Sequence, residues 1–183
     1  MGVLRSVLAI AFAALAATSQ QGVSPSSSAQ TKSVPASCTV TRRPTFEFIP
    51  PADYHFDPLS KDSFWIGSEK LWTQIVEPMM WEWRPHGPGH EQDLTAKVFW
   101  FRLGYSWRSE PIPKIRVTGR RLDGPAPPLM LPQGPATHAI IDNSGRGAML
   151  TGVWVPTPGC WEITGDYQGD KLSFVVWVEP PNR

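Results

Sequence analysis

Apolar residues along the chain fall into short runs that alternate with polar residues and end at proline or glycine. No sustained helical periodicity follows residue 20, and the runs are rich in Val, Ile, Trp and Phe. This pattern is typical of strands and turns. The predicted strands cover residues 63–67, 70–76, 79–84, 95–103, 113–121, 136–141, 147–155, 160–167 and 171–178. Their number and spacing predict an all-β fold, a β-sandwich.

The predicted strands differ in how many of their faces are apolar. Residues 95–103 carry apolar side chains on both faces, which predicts a central strand or one covered on both sides. Residues 113–121 alternate apolar and polar positions, which predicts a strand with one wet face. The last two strands, 160–167 and 171–178, are joined by Gln168-Gly169-Asp170, a short turn with the glycine that a hairpin needs.

The N-terminus has the pattern of a secretory signal. Arg5 supplies a positive charge, residues 7–17 are an apolar run, and Ala14 and Ala16 form a small-residue pair suited to signal peptidase. The run is too short for a permanent membrane span, which needs about 20 residues. We therefore predict a signal peptide at 1–17 and an extracytoplasmic protein, secreted or periplasmic, without a membrane span after cleavage.

A polar stretch separates this signal from the rest of the chain. Residues 18–37 are dominated by Ser, Gln and Pro, and such a stretch buries too little surface to offset its ordering entropy. It is predicted to be a flexible spacer before a single β-sandwich domain at 38–183. The two cysteines, Cys38 and Cys160, are predicted to form a disulfide in an oxidising compartment. Two free thiols, or bonds to a partner chain, are the alternative.

Several stretches resemble an uncharacterised family of secreted bacterial proteins that carry a PGCWE-(Ile or Val)-TG signature near the C-terminus. The resemblance lies in VTGRRLDGPAPPL (117–129), LTGVWVPTPGCWEITGDY (150–167), KLSFVVWV (171–178) and KVFWFRLGY (97–105). It covers about half of the mature chain. It implies an immunoglobulin-like sandwich closed by a disulfide and located outside the cytoplasm, and it implies no particular activity.

The balanced charge of the chain and its lack of known catalytic motifs narrow the range of functions. The chain has 17 Lys and Arg against 16 Asp and Glu with no basic cluster, which argues against a nucleic-acid partner. It lacks G-x-S-x-G, H-E-x-x-H, P-loop and G-x-G-x-x-G motifs, so we predict no enzyme activity and no cofactor. One catalytic alternative stays open, a carboxylate pair formed in space by members of the set Glu82, Glu91, Asp93, Glu162 and Asp166.

A second alternative is a metal site. Met79, Met80, His86 and His90 lie within twelve residues of one another. Thioether and imidazole groups suit copper, and imidazole also suits zinc. A periplasmic copper- or zinc-handling protein is therefore an alternative function. Core packing of Met80 and plain surface positions for the histidines are the competing interpretation.

The remaining candidates form a possible ligand surface. Trp81 and Trp83 share one face of a predicted strand, and Trp107 lies among polar residues in a predicted loop. Exposed tryptophans stack on sugar rings or anchor protein partners. Arg120 and Arg121 could clamp an anion.

The arginine pair has a structural alternative, in which these side chains bond to Asp123 or Glu162 and hold the end of a strand. The predicted function is accordingly a non-catalytic, extracytoplasmic binding or structural sandwich with an unknown protein or glycan partner. The metal-handling protein and a carbohydrate-binding module are the alternatives.

Overall fold

The computed structural model describes residues 33–54, 60–90, 95–129, 136–140 and 145–181. These residues belong to one compact unit, Ser33–Arg183. The predicted signal peptide and residues 18–32 of the predicted spacer lie outside the described residues. Within the described ranges, no helix is long and apolar enough to cross a membrane.

The described part of the chain forms nine strands, and each lies where the sequence predicts one. They are β1 (Ser63–Ser68), β2 (Leu71–Val76), β3 (Met80–Glu82), β4 (Ala96–Phe101), β5 (Arg116–Arg121), β6 (Thr137–Ile140), β7 (Gly147–Val153), β8 (Gly159–Tyr167) and β9 (Asp170–Glu179). A 3₁₀ helix at Ala52–Tyr54 precedes them. The all-β prediction is confirmed.

The strands form two sheets that enclose a common core, so the sandwich prediction is also confirmed. The five-stranded sheet has the order β1-β2-β4-β7-β6, and the four-stranded sheet has the order β3-β9-β8-β5. Neighbouring strands are antiparallel except β3 and β9, which run parallel. The immunoglobulin-like connectivity is not confirmed. In that fold the second strand neighbours the fifth, whereas β2 here neighbours β4.

The core between the sheets is organised around Trp100 of β4, which has no exposed surface. Its indole Nε1 donates a hydrogen bond to Thr151 Oγ1 at 2.9 Å. Its ring meets the facing sheet at Gly165 of β8, where an added Cβ would lie 2.5 Å from a ring carbon. The sheets can approach at this point only because residue 165 has no side chain.

A second aromatic cluster covers the outer face of the five-stranded sheet. The ring of Phe101 lies 5.4 Å from that of Trp65 and 6.0 Å from that of Trp72. Phe48 and Tyr54, from the segment before β1, pack on Trp72 at 5.7 and 5.5 Å. This cluster is the reason that β4 is apolar on both faces, because one face meets the core and the other meets these rings.

The segment of residues 38–54, here called the strap, is tied to both sheets. The predicted disulfide joins Cys38 to Cys160 of β8, and both cysteines are buried. Thr41 exchanges two hydrogen bonds with Val175 of β9, at 2.9 and 2.8 Å. The strap then continues to β1 and to the outer aromatic cluster.

Two charged side chains of the strap cover the free edge of β1. Arg43 Nη2 donates to the carbonyl oxygen of Ser63 at 2.9 Å, and Glu47 Oε1 accepts the backbone N–H of Trp65 at 3.0 Å. Arg43 and Glu47 also form an ion pair at 2.9 Å. Unpaired backbone groups on an edge strand invite pairing with another chain. The strap therefore occupies two of the groups through which β1 could do so.

The disulfide is expected to contribute strongly to stability. It joins residues 122 positions apart, and reopening that loop in the unfolded chain should lower the free energy of unfolding by about 5 kcal/mol. Urea unfolding of the Cys38→Ser/Cys160→Ser variant, followed by tryptophan fluorescence, measures this loss. A loss below about 1 kcal/mol would mean that the strap is held by its other contacts.

The close approach at Gly165 predicts a specific packing defect. Gly165→Ala should lower the free energy of unfolding by about 1–3 kcal/mol, because the new methyl group collides with the Trp100 ring. Gly124→Ala is the matched control, since a Cβ at Gly124 meets no atom within 4 Å, and its effect should stay within about 0.5 kcal/mol. Equal effects of the two substitutions in urea unfolding would contradict the packing argument.

Candidate functional site

A groove opens where β2 and β4 separate. The two strands form only two residue pairs, the second of which joins Thr73 to Trp100. At this point Thr73 Oγ1 donates to the carbonyl oxygen of Phe99 at 2.7 Å. Beyond it, the chain leaves β2 through Glu77 and Pro78 and enters β3 in the other sheet. The separation creates a groove of about 450 Å³.

The walls of the groove are mostly apolar. Its aromatic surfaces come from Trp81 of β3, Phe99 of β4 and Phe174 of β9, and the thioethers of Met79 and Met80 also line it. Small-molecule sites are typically concave, mainly apolar cavities of about 300–1,000 Å³ with a few polar groups. The groove has both the size and the character of such a site.

Trp81 lies in β3 and Trp83 directly after its last residue, and the structure gives them different surroundings. Trp81 is half-buried, lines the groove and meets the Phe174 ring edge-on at 5.9 Å. Trp83 is half-buried and its Nε1 donates to the carbonyl oxygen of Val155 at 3.0 Å. Of these two predicted ligand-surface tryptophans, Trp81 is therefore the one that reaches the groove.

Two of the described residues that line the groove are charged, Glu77 and Lys97, and they differ in their partners. Glu77 Oε1 accepts the backbone N–H of Arg43 at 3.0 Å, and Arg43 Nε lies 4.0 Å from Glu77 Oε2. Lys97 is exposed and forms no ion pair with another residue in the described part of the chain. The charge at the groove that lacks a counter-charge is therefore positive.

The candidate metal ligands divide into two methionines that line the groove and two histidines in the loop that follows β3. Met79 is 2% exposed, belongs to the core, and lines both the groove and a smaller cavity of about 260 Å³ beside the strap. The ring of His86 packs on that of Trp154 at 4.4 Å, and His90 donates its backbone N–H within the same loop. Among the described residues, no group of three or more His, Cys, Asp or Glu is placed to hold a metal. The copper or zinc hypothesis stays a prediction.

Trp107 lies in the loop between β4 and β5, as predicted, and its ring has close neighbours. The His138 ring stacks on it at 5.4 Å with an angle of 8°, and the Arg108 guanidinium lies 4.8 Å from its centre. Its indole N–H is buried without a hydrogen-bond acceptor among the described residues. These contacts occupy part of the ring surface that the sequence analysis assigned to a ligand.

The arginines at the end of β5 bond to carboxylates, as in the structural alternative. Arg120 Nε lies 2.7 Å from Glu162 Oε2 on β8, and Arg121 Nε lies 2.6 Å from Asp123 Oδ1. The hydrogen bond from Arg121 lowers the pKa of the Asp123 carboxyl below its usual value. Both arginines therefore hold the end of β5.

The candidate catalytic carboxylates do not form a pair within the described residues. Glu162 faces Arg120, and Asp166 Oδ2 lies 3.8 Å from Lys171 Nζ. Glu82 is exposed on the edge strand β3. The two remaining candidates, Glu91 and Asp93, lie outside the described residues.

A buried tyrosine pair was not singled out by the sequence analysis. Tyr105 and Tyr167 are 4% and 3% exposed, with rings 6.4 Å apart and perpendicular. Both hydroxyls donate to Glu110: Tyr167 to its carboxylate, and Tyr105 to its backbone carbonyl at 3.1 Å. Burial, reinforced by the nearby Glu110 charge, raises the pKa of each tyrosine to about 12. Glu110 lies in a loop, so no periodic pattern pointed to this network.

Comparisons of the chain with protein-family models, with curated proteins and with solved structures found no match. The class of protein is therefore defined here by its architecture, a disulfide-closed β-sandwich with an apolar groove at the point where β2 changes sheets. The resemblance of its C-terminal segments to secreted bacterial proteins stays a prediction.

The tyrosine network predicts a loss of stability at alkaline pH. Its tyrosines have a pKa near 10 when unfolded and about 12 when folded, so their contribution is complete below about pH 10 and is lost as the pH rises through about 12. In urea unfolding, Tyr167→Phe should flatten the fall in stability between about pH 10 and 12. The same variant at pH 7 controls for the lost hydrogen bond. Equal slopes in wild type and variant would contradict this origin.

Proposed function

We propose that this protein is an extracytoplasmic, non-catalytic binding protein and that the groove between β2 and β4 is its ligand site. The observation that carries the proposal is the concave, mainly apolar shape of the groove, with the half-buried Trp81 on its wall. A buried concave surface lets a small ligand exclude water from most of its own area, which is the main source of affinity for apolar ligands.

The location outside the cytoplasm is supported by the cysteines and by the N-terminal pattern. Cys38 and Cys160 are joined in a disulfide, and such bonds persist mainly in oxidising compartments. The signal-like residues 1–17 and the resemblance to secreted bacterial proteins favour the same location. A periplasmic and a secreted protein share these features.

Binding is favoured over catalysis by the chemistry of the walls. The groove is lined mainly by aromatic, thioether and aliphatic side chains, and of the two charged residues described on its walls, Glu77 is engaged by Arg43. Acid–base and nucleophilic catalysis both need titratable or nucleophilic groups directed at a substrate. Apolar walls instead supply affinity by burial.

The proposal is tested with Nile red, a neutral apolar dye whose emission rises in apolar surroundings. Wild type should bind the dye, whereas Val76→Trp, which adds bulk to a residue lining the groove, should weaken binding at least about tenfold. Ile140→Trp is the matched control. Ile140 is also an exposed apolar residue, but it lies on β6, the edge strand at the far side of the same sheet from β2. This control should bind the dye like wild type.

A thermal-shift panel with copper, zinc, soluble glycans and small apolar compounds separates the alternative functions. A ligand at one hundred times its Kd adds about 2.7 kcal/mol, which raises Tm by a few degrees at this size. A shift with apolar compounds that is lost in Val76→Trp supports the proposal. A shift with metals or glycans alone, or dye binding unaffected by Val76→Trp, would overturn it.

A further inference from the structure

The strap supplies a counter-charge to Glu77 and, among the described residues, none to Lys97. Arg43 bonds to Glu77 through its backbone N–H, and its side chain also contacts Glu47, the Ser63 carbonyl and the Phe64 ring. These contacts hold the Arg43 guanidinium beside Glu77. Glu77 therefore has a counter-charge that does not come from the groove.

Among the described residues, Lys97 is the other charged residue that lines the groove, and it is exposed and forms no ion pair there. It lies on β4 two positions before Phe99, so the two side chains point to the same face and are roughly 7 Å apart along the strand. Phe99 is half-buried and lines the groove, and Phe174, only 2% exposed, forms part of its inner wall. An uncompensated cation thus lies beside apolar surface that continues inward.

The kind of anion follows from the chemistry of this cation. A lysine ammonium is a compact point charge, whereas bidentate recognition of phosphate favours the planar fork of arginine. A phosphate group would also carry about −1.5 to −2 charges against the single charge of Lys97. A carboxylate matches that charge. The volume of about 450 Å³ is that of a site for one small molecule.

We infer that the groove takes a free, monomeric amphiphile with an apolar body and one carboxylate, whose head binds Lys97 and whose apolar part lies against Phe99, Trp81 and Phe174. This inference rests on the proposed function, since it names the class of ligand for the same groove. Lys97 then selects the charge of the ligand, and the aromatic walls supply the affinity.

Calorimetric titration of the purified protein with three ten-carbon probes tests the inference. Decanoate, decanol and decyltrimethylammonium share a chain and differ in head group, and each is used as a monomer. Wild type should bind decanoate about threefold to fivefold more tightly than decanol and bind the cation most weakly, because the ion pair with an exposed lysine is partly screened by solvent. Lys97→Gln should bring decanoate to the affinity of decanol.

Two further variants make the result specific to this lysine. Lys114→Gln removes an exposed lysine that does not line the groove and should leave all three affinities unchanged. Lys97→Glu should reverse the order, so that the cationic probe binds more tightly than decanoate. A loss of decanoate selectivity in Lys114→Gln as large as that in Lys97→Gln would overturn the assignment to Lys97.

The neutral probe separates failure of the inference from failure of the proposed function. Equal binding of decanoate and decanol by wild type, with both lost in Val76→Trp, would overturn the charge assignment and leave the groove as the binding site. Binding of none of the probes, together with no Nile red binding, would overturn both. Binding to phosphatidylglycerol vesicles without binding of monomeric decanoate would indicate a membrane surface and would overturn the free amphiphile.

Discussion

The packing of Trp100 against the backbone of β8 sets the distance between the two sheets. Its ring fills the space that Gly165 leaves open, and its indole nitrogen is satisfied by Thr151. The same residue forms the last pair between β2 and β4, opposite Thr73. The next inward-facing position on β4 is Val98, a much smaller side chain. The groove therefore begins where a large core residue gives way to a small one.

Through Arg43, the strap influences the charge balance of that groove, although Arg43 itself does not line it. Exposed ion pairs contribute little to stability individually, because solvent screens them and ordering long side chains has an entropic cost. The effect of these ion pairs in this protein is to hold Arg43 in a fixed place. Arg43 covers the edge of β1 and remains next to Glu77, so Lys97 is the charged residue of the groove that forms no ion pair within the described part of the chain. Through these contacts, a segment that precedes β1 influences the charge balance of a groove formed by β2, β3, β4 and β9.

Strand positions were accessible from the sequence because side-chain direction in a strand alternates with a period of two. That rule correctly identified β4 as apolar on both faces and β5 as polar on one face. The glycine-containing turn before Asp170 likewise indicated the hairpin of β8 and β9. All of these are properties of neighbouring residues.

The sequence by itself determined the positions of the strands and which of their faces are polar or apolar. It also determined the cysteine partners, since two cysteines allow one intramolecular bond. Only the tertiary structure decided that β2 pairs with β4 over two residues, that Lys97 and Trp81 line one groove, and that Glu110 receives two tyrosine hydroxyls. These juxtapositions depend on the register of distant strands and on loop paths. Register is set by how large and small side chains fit across the core, which local alternation does not encode.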